Sequence, residues 1–264
     1  MIDEVAQVLV CAAETAILPR FRRLTAGDVT EKEPGDLVTV ADREAEQLIS
    51  CGLREIIDIP VVGEEAVAED PSLLEALGTQ ACWLVDPIDG TSNFVAGRRE
   101  YAVMAALIRS GNPVAGWIIL PETGQLYVAE HGSGAFRDGI RLLRPPPPAE
   151  VEQLRGAAPT KRLSNHERAQ LSVVGKRFAA LGPGALSAGV NYTRLLDGDL
   201  DFVLYQRSQP WDHAAGTLLL AEAGGISLRP DGSPYRLIES PTNLLLNAAD
   251  RASWQAVQAV LRHA

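Results

Sequence analysis

The segment from Trp83 to Gly97 reads W-L-V-D-P-I-D-G-T-S-N-F-V-A-G and concentrates hard oxygen donors at a chain reversal. The apolar run Cys82 to Val85 predicts a strand that delivers Asp86 at its end. Pro87 stiffens the turn after Asp86 and removes one backbone donor. Asp89 comes three residues after Asp86. A turn can therefore aim both carboxylates at one point, with the Ile88 carbonyl between them. Gly90 permits a tight bend. Thr91 and Ser92 then open a short predicted helix, whose unpaired N–H groups favour an anion. Carboxylates beside an anion cradle are the donor set of a magnesium–phosphate site. Taken alone, D-P-I-D-G is equally an ordinary turn, with aspartate capping and glycine reversing the chain.

Other acidic residues carry the same two readings. Glu64 and Glu65 follow V-V-G and could be solvated loop charges. Asp42 and Asp212 each stand at the start of a predicted helix and could be only N-caps. His213, alone at a helix start, reads as structural. The acidic string Asp197 to Asp201 lacks the glycine and terminal glutamate of a calcium loop and reads as a turn before a strand.

The elements that must position these groups follow from periodicity. Residues 4–24 have helical spacing. Lys32 to Gly35 reads as a turn and Asp36 to Thr39 as a short extended piece. A second helix is predicted from Ala41 to about Ile57, and a strand over Ile59 to Val62. Further strands are expected over 101–109, 114–120 and 125–129. Pro145 to Pro148 must be extended. It divides an N-terminal α+β domain over 1–144, with most candidate ligands, from a C-terminal α/β domain over 145–264 that contributes Asp212. Beyond it, helices are predicted at 164–181, 188–197, 214–223 and 251–262, with strands at 202–205, 226–228 and Asn243 to Leu246. Gly224 and Gly225 close the third of these helices.

The chain has 264 residues, of which 24 are basic and 34 acidic, for a net charge of −10. A nucleic-acid binder would show clustered positive charge. Here there are only short pairs such as Arg22-Arg23, Arg98-Arg99 and Lys161-Arg162. An anionic substrate would need local help from a metal or a helix N-terminus. Cys11, Cys51 and Cys82 are odd in number and widely spaced, which predicts reduced thiols and a cytoplasmic protein. The first residues include Asp3 and Glu4 and form no signal peptide. No run approaches the ~18 apolar residues of a membrane span.

Four segments, in order, resemble the inositol monophosphatase family of lithium-sensitive, magnesium-dependent phosphatases. They are D-L-V-T-V-A-D at 36–42, preceded by Lys32; V-V-G-E-E at 61–65; D-P-I-D-G-T-S-N-F from Asp86; and W-D-H-A-A-G at 211–216, running into E-A-G-G. The resemblance implies a layered αβαβα sandwich, and commonly a homodimer. It implies two or three Mg²⁺ ions. Glu64, Asp86 and the Ile88 carbonyl would hold one; Asp86, Asp89 and Asp212 a second; and Glu64 would support a third through water. Thr91, paired with Asp42, would activate the attacking water. Gly90 and Thr91 N–H groups and Lys32 would hold phosphate, and Tyr205 would face the substrate. Cations that stabilise attacking and leaving oxygens suit this reaction, and Thr91 needs Asp42 as proton acceptor. Asp89→Asn is expected to fold normally and lose turnover.

Two positions depart from the inositol-specific pattern. Ala96 stands near a usual histidine. Tyr205, seven residues before Asp212, stands where a glutamate contacts inositol hydroxyls. The substrate is therefore a small phosphorylated metabolite, read first as an inositol-phosphate-like monoester. Histidinol phosphate and 3′-phosphoadenosine 5′-phosphate are the alternatives, and a non-catalytic regulatory binding protein is the reading from another class.

Overall fold

A computed structural model describes residues 1–33, 35–160, 163–239 and 244–262. Helix α1 (Ile2–Ala12) continues through a π turn at Ala13–Ile17 and a tight turn at Leu18–Arg20. Helical structure stops there, short of Leu24, because Pro19 lacks the amide hydrogen that continues the ladder. Strands β1 (Val29–Glu33) and β2 (Asp36–Thr39) form an antiparallel pair. Lys32 and Glu33 thus lie in a strand instead of a turn, and Pro34 of that predicted turn lies outside the described residues. Next come α2 (Val40–Ile56), β3 (Val61–Gly63) and α3 (Glu64–Glu69). Glu64 and Glu65 therefore open a helix rather than occupy a loop. Strand β4 (Ala81–Asp89) runs past Asp86 and is followed by the short α4 (Thr91–Val95). A meander comes next: β5 (Ala102–Arg109), β6 (Asn112–Leu120), β7 (Gln125–Glu130), β8 (Gly134–Arg137) and β9 (Ile140–Arg141).

After the proline run come β10 (Arg155–Ala157), α5 (Asn165–Gly175), β11 (Ala180–Gly182) and α6 (Ala188–Asp197). The chain ends with β12 (Phe202–Tyr205), α7 (Pro210–Glu222), β13 (Ile226–Leu228), β14 (Leu245–Ala248) and α8 (Arg251–Arg262). The helix predicted over 164–181 is thus a helix and an edge strand. Asn243, the predicted start of the last strand, and the Lys161-Arg162 pair lie outside the described residues. Among the described residues, no helix is long and apolar enough to cross a membrane.

The large sheet has the order β3-β4-β5-β6-β7-β8-β9, and the small one β11-β10-β12-β14-β13. Alternation along each strand builds the layers. Trp83 and Val85 of β4 face α1 and α2, packing with Leu9, Ile49 and Leu53. Cys82 and Leu84 face the other way and share a core with Tyr192 and Leu195 of α6 and Leu218 of α7. Val203 and Tyr205 of β12 close that core from the small sheet. Phe202 and Leu204 point outward to Val174 of α5 and to Trp254 and Val257 of α8. The order is helix, sheet, helix, sheet, helix: an αβαβα sandwich. All strands of the large sheet precede Pro145 and all strands of the small sheet follow it, while α6 and α7 pack between the two.

Candidate metal centre and active site

Asp86 and Asp89 converge because β4 bulges. Asp86 lies opposite Met104 and Asp89 opposite Ala102, so three steps along β4 match two along β5. In a regular strand, residues three apart point to opposite faces; the extra residue turns Asp89 to the side of Asp86. Pro87, inside the bulge, has no amide hydrogen to lose from the ladder. Asp212 arrives from the second half. It sits within the first turn of α7, two residues after Pro210 at the first helical position, and is not the N-cap, which is Gln209. Asp86, Asp89 and Asp212 each offer an oxygen within 4.8 Å of the others.

This trio is electrostatically unfavourable by itself. Asp86 is 1 % exposed and Asp89 6 %. Burial, then the charges of Glu64 and Asp89, push the Asp86 carboxyl well above the usual range. Burial, then Asp89 and Glu64, do the same to Asp212. Asp86 Oδ1 has no hydrogen-bond partner among the described residues. Clustered buried carboxylates with an orphaned oxygen need a cation, and an all-oxygen set fits a hard divalent ion such as Mg²⁺.

Asp89 has a second task that the sequence does not announce. Its Oδ1 accepts the Ala188 N–H at 2.9 Å, and its Oδ2 accepts the Gly189 N–H at 2.6 Å and the Ser187 hydroxyl at 2.5 Å. The carboxylate thus caps α6 across the two halves, and burial still pushes it up to about 6. Asparagine would turn an NH₂ toward these donors. Asp89→Asn is therefore expected to weaken this junction as well as to lose turnover.

Gly90 turns the chain away from Asp89 with φ +89°, and a Cβ there would lie 2.9 Å from Ser187 Cβ. Only glycine combines this backbone with this approach. Thr91 then starts α4. Its hydroxyl lies 3.2 Å from Asp42 Oδ1 and 3.0 Å from the Ile88 carbonyl. Asp42 is third in α2, and its Oδ2 accepts the Thr39 N–H and hydroxyl in a capping box. The N-cap of α2 is Thr39; Asp42 closes its capping box from the third helical position with one oxygen, and the other oxygen meets Thr91. Burial pushes it up to about 7.

Glu64 stands beside the trio, outside its 4.8 Å set. Lys32 Nζ bridges Glu64 Oε1 at 3.0 Å and Glu65 Oε1 at 2.9 Å. Burial opposes the Lys32 charge, but Glu64 and Glu65 overcome it and raise its pKa. Burial and Glu64 push Glu65 up to about 8. Sequence reasoning missed Glu46, a buried carboxylate of α2 that accepts the Glu65 and Ala66 N–H groups, both at 2.8 Å. It fixes the helix start on which Glu64 sits. Gly63 allows this, since a Cβ there would lie 2.3 Å from the Glu46 carboxyl carbon. Its signal was a glutamate on the apolar side of α2, one turn after Asp42.

Tyr205 is buried; its hydroxyl donates to the Ala188 carbonyl at 3.4 Å and its ring lies 4.6 Å from His213. It forms wall and offers no carboxylate. Lys32, Glu64, Asp89, Tyr205 and Asp212 line one cavity of about 490 Å³.

A fold of this layering with an aspartate trio at the junction of its halves, Asp86 and Asp89 buried and Asp212 half-buried, defines a class. The chain belongs to the inositol monophosphatase family, whose model matches residues 1–263, and it is a phosphoric monoester hydrolase. It is 34 % identical over 206 residues to an inositol-1-monophosphatase of Mesorhizobium japonicum, covering 77 % of this chain and 76 % of that one. It is 33 % identical over 208 residues to a fructose-1,6-bisphosphatase/inositol-1-monophosphatase of Thermotoga maritima, covering 75 % and 74 %. Among solved structures, a Thermotoga maritima IMPase superposes with a TM-score of 0.81 at 26 % identity, covering 99 % of this chain and 98 % of that one.

Proposed function

We propose that this protein hydrolyses a small phosphate monoester with the help of two or three Mg²⁺ ions, releasing inorganic phosphate and an alcohol. The observation that carries the reading is the trio of buried Asp86 and Asp89 with half-buried Asp212, with an orphaned Asp86 oxygen, beside the Thr91–Asp42 pair. These three carboxylates, with Glu64 and the Ile88 carbonyl, are the residues that would hold the ions. Bound there, divalent cations supply Lewis acidity and neutralise charge on the phosphoryl oxygens.

The remaining work falls to the chain's own groups. The Thr91 hydroxyl orients the attacking water, and Asp42 takes the proton that Thr91 relays. A carboxylate held near pH 7 is matched to that task at neutral pH. The Gly90 and Thr91 N–H groups steady phosphate oxygens. Lys32 steadies Glu64 and Glu65. Tyr205 keeps the alcohol side of the cavity free of a carboxylate, which disfavours a polyol held through its hydroxyls.

The test is phosphate release from inositol 1-phosphate, histidinol phosphate, 3′-phosphoadenosine 5′-phosphate, fructose 1,6-bisphosphate and glycerol 2-phosphate, with Mg²⁺, with EDTA, and with Mg²⁺ plus Li⁺. Release that requires Mg²⁺ and falls with Li⁺ supports the reading. A second reading, a regulatory binding role, has one observation in its favour: a Vibrio cholerae relative at 29 % identity over 208 residues bears the name Nus factor SuhB. Absence of release from every substrate by metal-loaded protein would favour it.

A further inference from the structure

The cavity holds a candidate contact for the alcohol half of the substrate, and its assignment rests on the phosphatase reading above. Arg207 lies on the loop between β12 and α7, and its half-buried side chain lines the cavity beside Tyr205, Gln206 and Gln209. Shielded arginines elsewhere in the chain are paired: Arg144 with Asp201 and Arg229 with Glu239. Among the described residues, no carboxylate bridges Arg207, although its charge is felt at Asp212. Desolvating a guanidinium without a partner is unfavourable unless something else meets it.

The loop that carries Arg207 is fixed at two points. His213 is fully buried, and its Nε2 lies 3.1 Å from the Arg207 carbonyl oxygen, which can only accept. Nε2 therefore carries the proton, and Nδ1 accepts from the Tyr192 hydroxyl at 3.0 Å. Ser208 is buried as well, with its hydroxyl 3.1 Å from Arg229 Nη1. The backbone is held while the Arg207 charge is left to the cavity. Among the described residues, the other cation lining this cavity is Lys32, which is already committed to Glu64 and Glu65. Arg207 is the cation lining this cavity that is unpaired among the described residues, and it stands two positions after Tyr205.

We propose that Arg207 is a specificity residue that binds a second anionic group, phosphate or carboxylate, carried by the alcohol half of the substrate. A guanidinium fork meets either group in two parallel hydrogen bonds. The same charge opposes an alcohol bearing an ammonium group, which sets histidinol phosphate apart from the doubly anionic esters.

The experiment measures kcat and KM of the Mg²⁺-loaded full chain for four substrates: fructose 1,6-bisphosphate (second group a phosphate), 3-phosphoglycerate (a carboxylate), glycerol 2-phosphate (neutral) and histidinol phosphate (cationic). Wild type and Arg207→Gln are compared, with circular dichroism melts as the fold control. Wild type should prefer at least one doubly anionic ester to glycerol 2-phosphate, and the arm that wins names the group. In Arg207→Gln that preference, as a ratio of kcat/KM, should fall by about tenfold or more, through KM. A folded Arg207→Gln whose ratio does not move overturns the inference while the phosphatase reading stands. So does a wild type that prefers glycerol 2-phosphate or histidinol phosphate, a result that decides the matter even if the variant fails to fold. No Mg²⁺-dependent release from any of the four overturns this inference; the phosphatase reading falls with it only if inositol 1-phosphate and 3′-phosphoadenosine 5′-phosphate are not hydrolysed either.

Discussion

Asp42 and Thr91, 49 residues apart, meet at 3.2 Å through one carboxylate oxygen, while the other oxygen of Asp42 closes the capping box of α2. The capping-box partner of α2 and the proposed proton acceptor are thus one side chain. Thr91→Val removes the relay and spares the cap. It should lower kcat by about 10² to 10⁴ with little change in melting temperature, as expected for a lost proton-transfer step. Asp42→Asn should lower both, because Thr39 loses its acceptor pattern too. Steady-state kinetics beside thermal melts would separate the pair; equal melting losses would argue that Thr91 is structural.

The three aspartates should not respond alike to amidation. In metal-free protein, Asp86→Asn removes one charge from a buried repulsive set and should raise the melting temperature by a few degrees, an effect of about 1–2 kcal/mol. It should also abolish Mg²⁺-dependent stabilisation. Asp89→Asn should instead lower the metal-free melting temperature, since Asp89 caps α6 through Ser187, Ala188 and Gly189. Differential scanning calorimetry in EDTA reads the sign directly. Stabilisation by both variants would mean that the α6 cap contributes nothing.

Stability of the metal-free protein should fall as pH rises above neutrality. Asp42 and Glu65 have folded pKa values raised to about 7 and about 8. The folded state therefore holds protons that the unfolded chain has already released, and stability drops as pH climbs through these values. His213, lowered to about 4 from 6.5, acts with the opposite sign, but only below its unfolded value of 6.5. Above that value, up to the raised Glu65 value of about 8, the carboxylates decide. Melts in EDTA across that interval should decline, and Mg²⁺ should flatten the slope. A metal-free melting temperature that rises over the interval would contradict the burial of these acids.

Glu46 should govern how well Glu64 is presented. Glu46→Gln keeps one acceptor for the N–H groups of Glu65 and Ala66 and sets an NH₂ against the other. It should cost about 1–3 kcal/mol in stability and raise the Mg²⁺ concentration needed for half-maximal turnover. Gly63→Ala should act in the same direction, because its methyl would meet the Glu46 carboxylate. Mg²⁺ titration of activity checks both; an unchanged midpoint in a destabilised Glu46→Gln would make Glu46 structural only.

The legible parts of this molecule were those that repeat locally. Helices α6 and α8 and strand β12 follow from apolar spacing within one element, and the αβαβα order follows from the resemblance that four motifs carry. The candidate ligands were legible because Asp86, Ile88 and Asp89 sit within four residues of one another. What escaped depends on distant partners. β10 and β11 have three residues each, too few to show a period, and exist through parallel pairing with each other. The Asp89 cap on α6 spans about a hundred positions, and Glu46 acts across the fold on α3. The bulge in β4 is visible only against β5. Arg207 has no local signature, since its neighbours in the cavity come from several elements.

The division of the candidate cation site between the two sides of Pro145 has a consequence for the protein's biosynthesis. A growing chain presents Asp86 and Asp89 long before Asp212 has been made, and Ser187 to Gly189, which quiet Asp89, also come late. For that interval Asp86 and Asp89 stand without the third carboxylate of the trio. On the proposed assignment the site is complete only when translation has passed α7 and the later half has docked, so that an incomplete chain would be born silent.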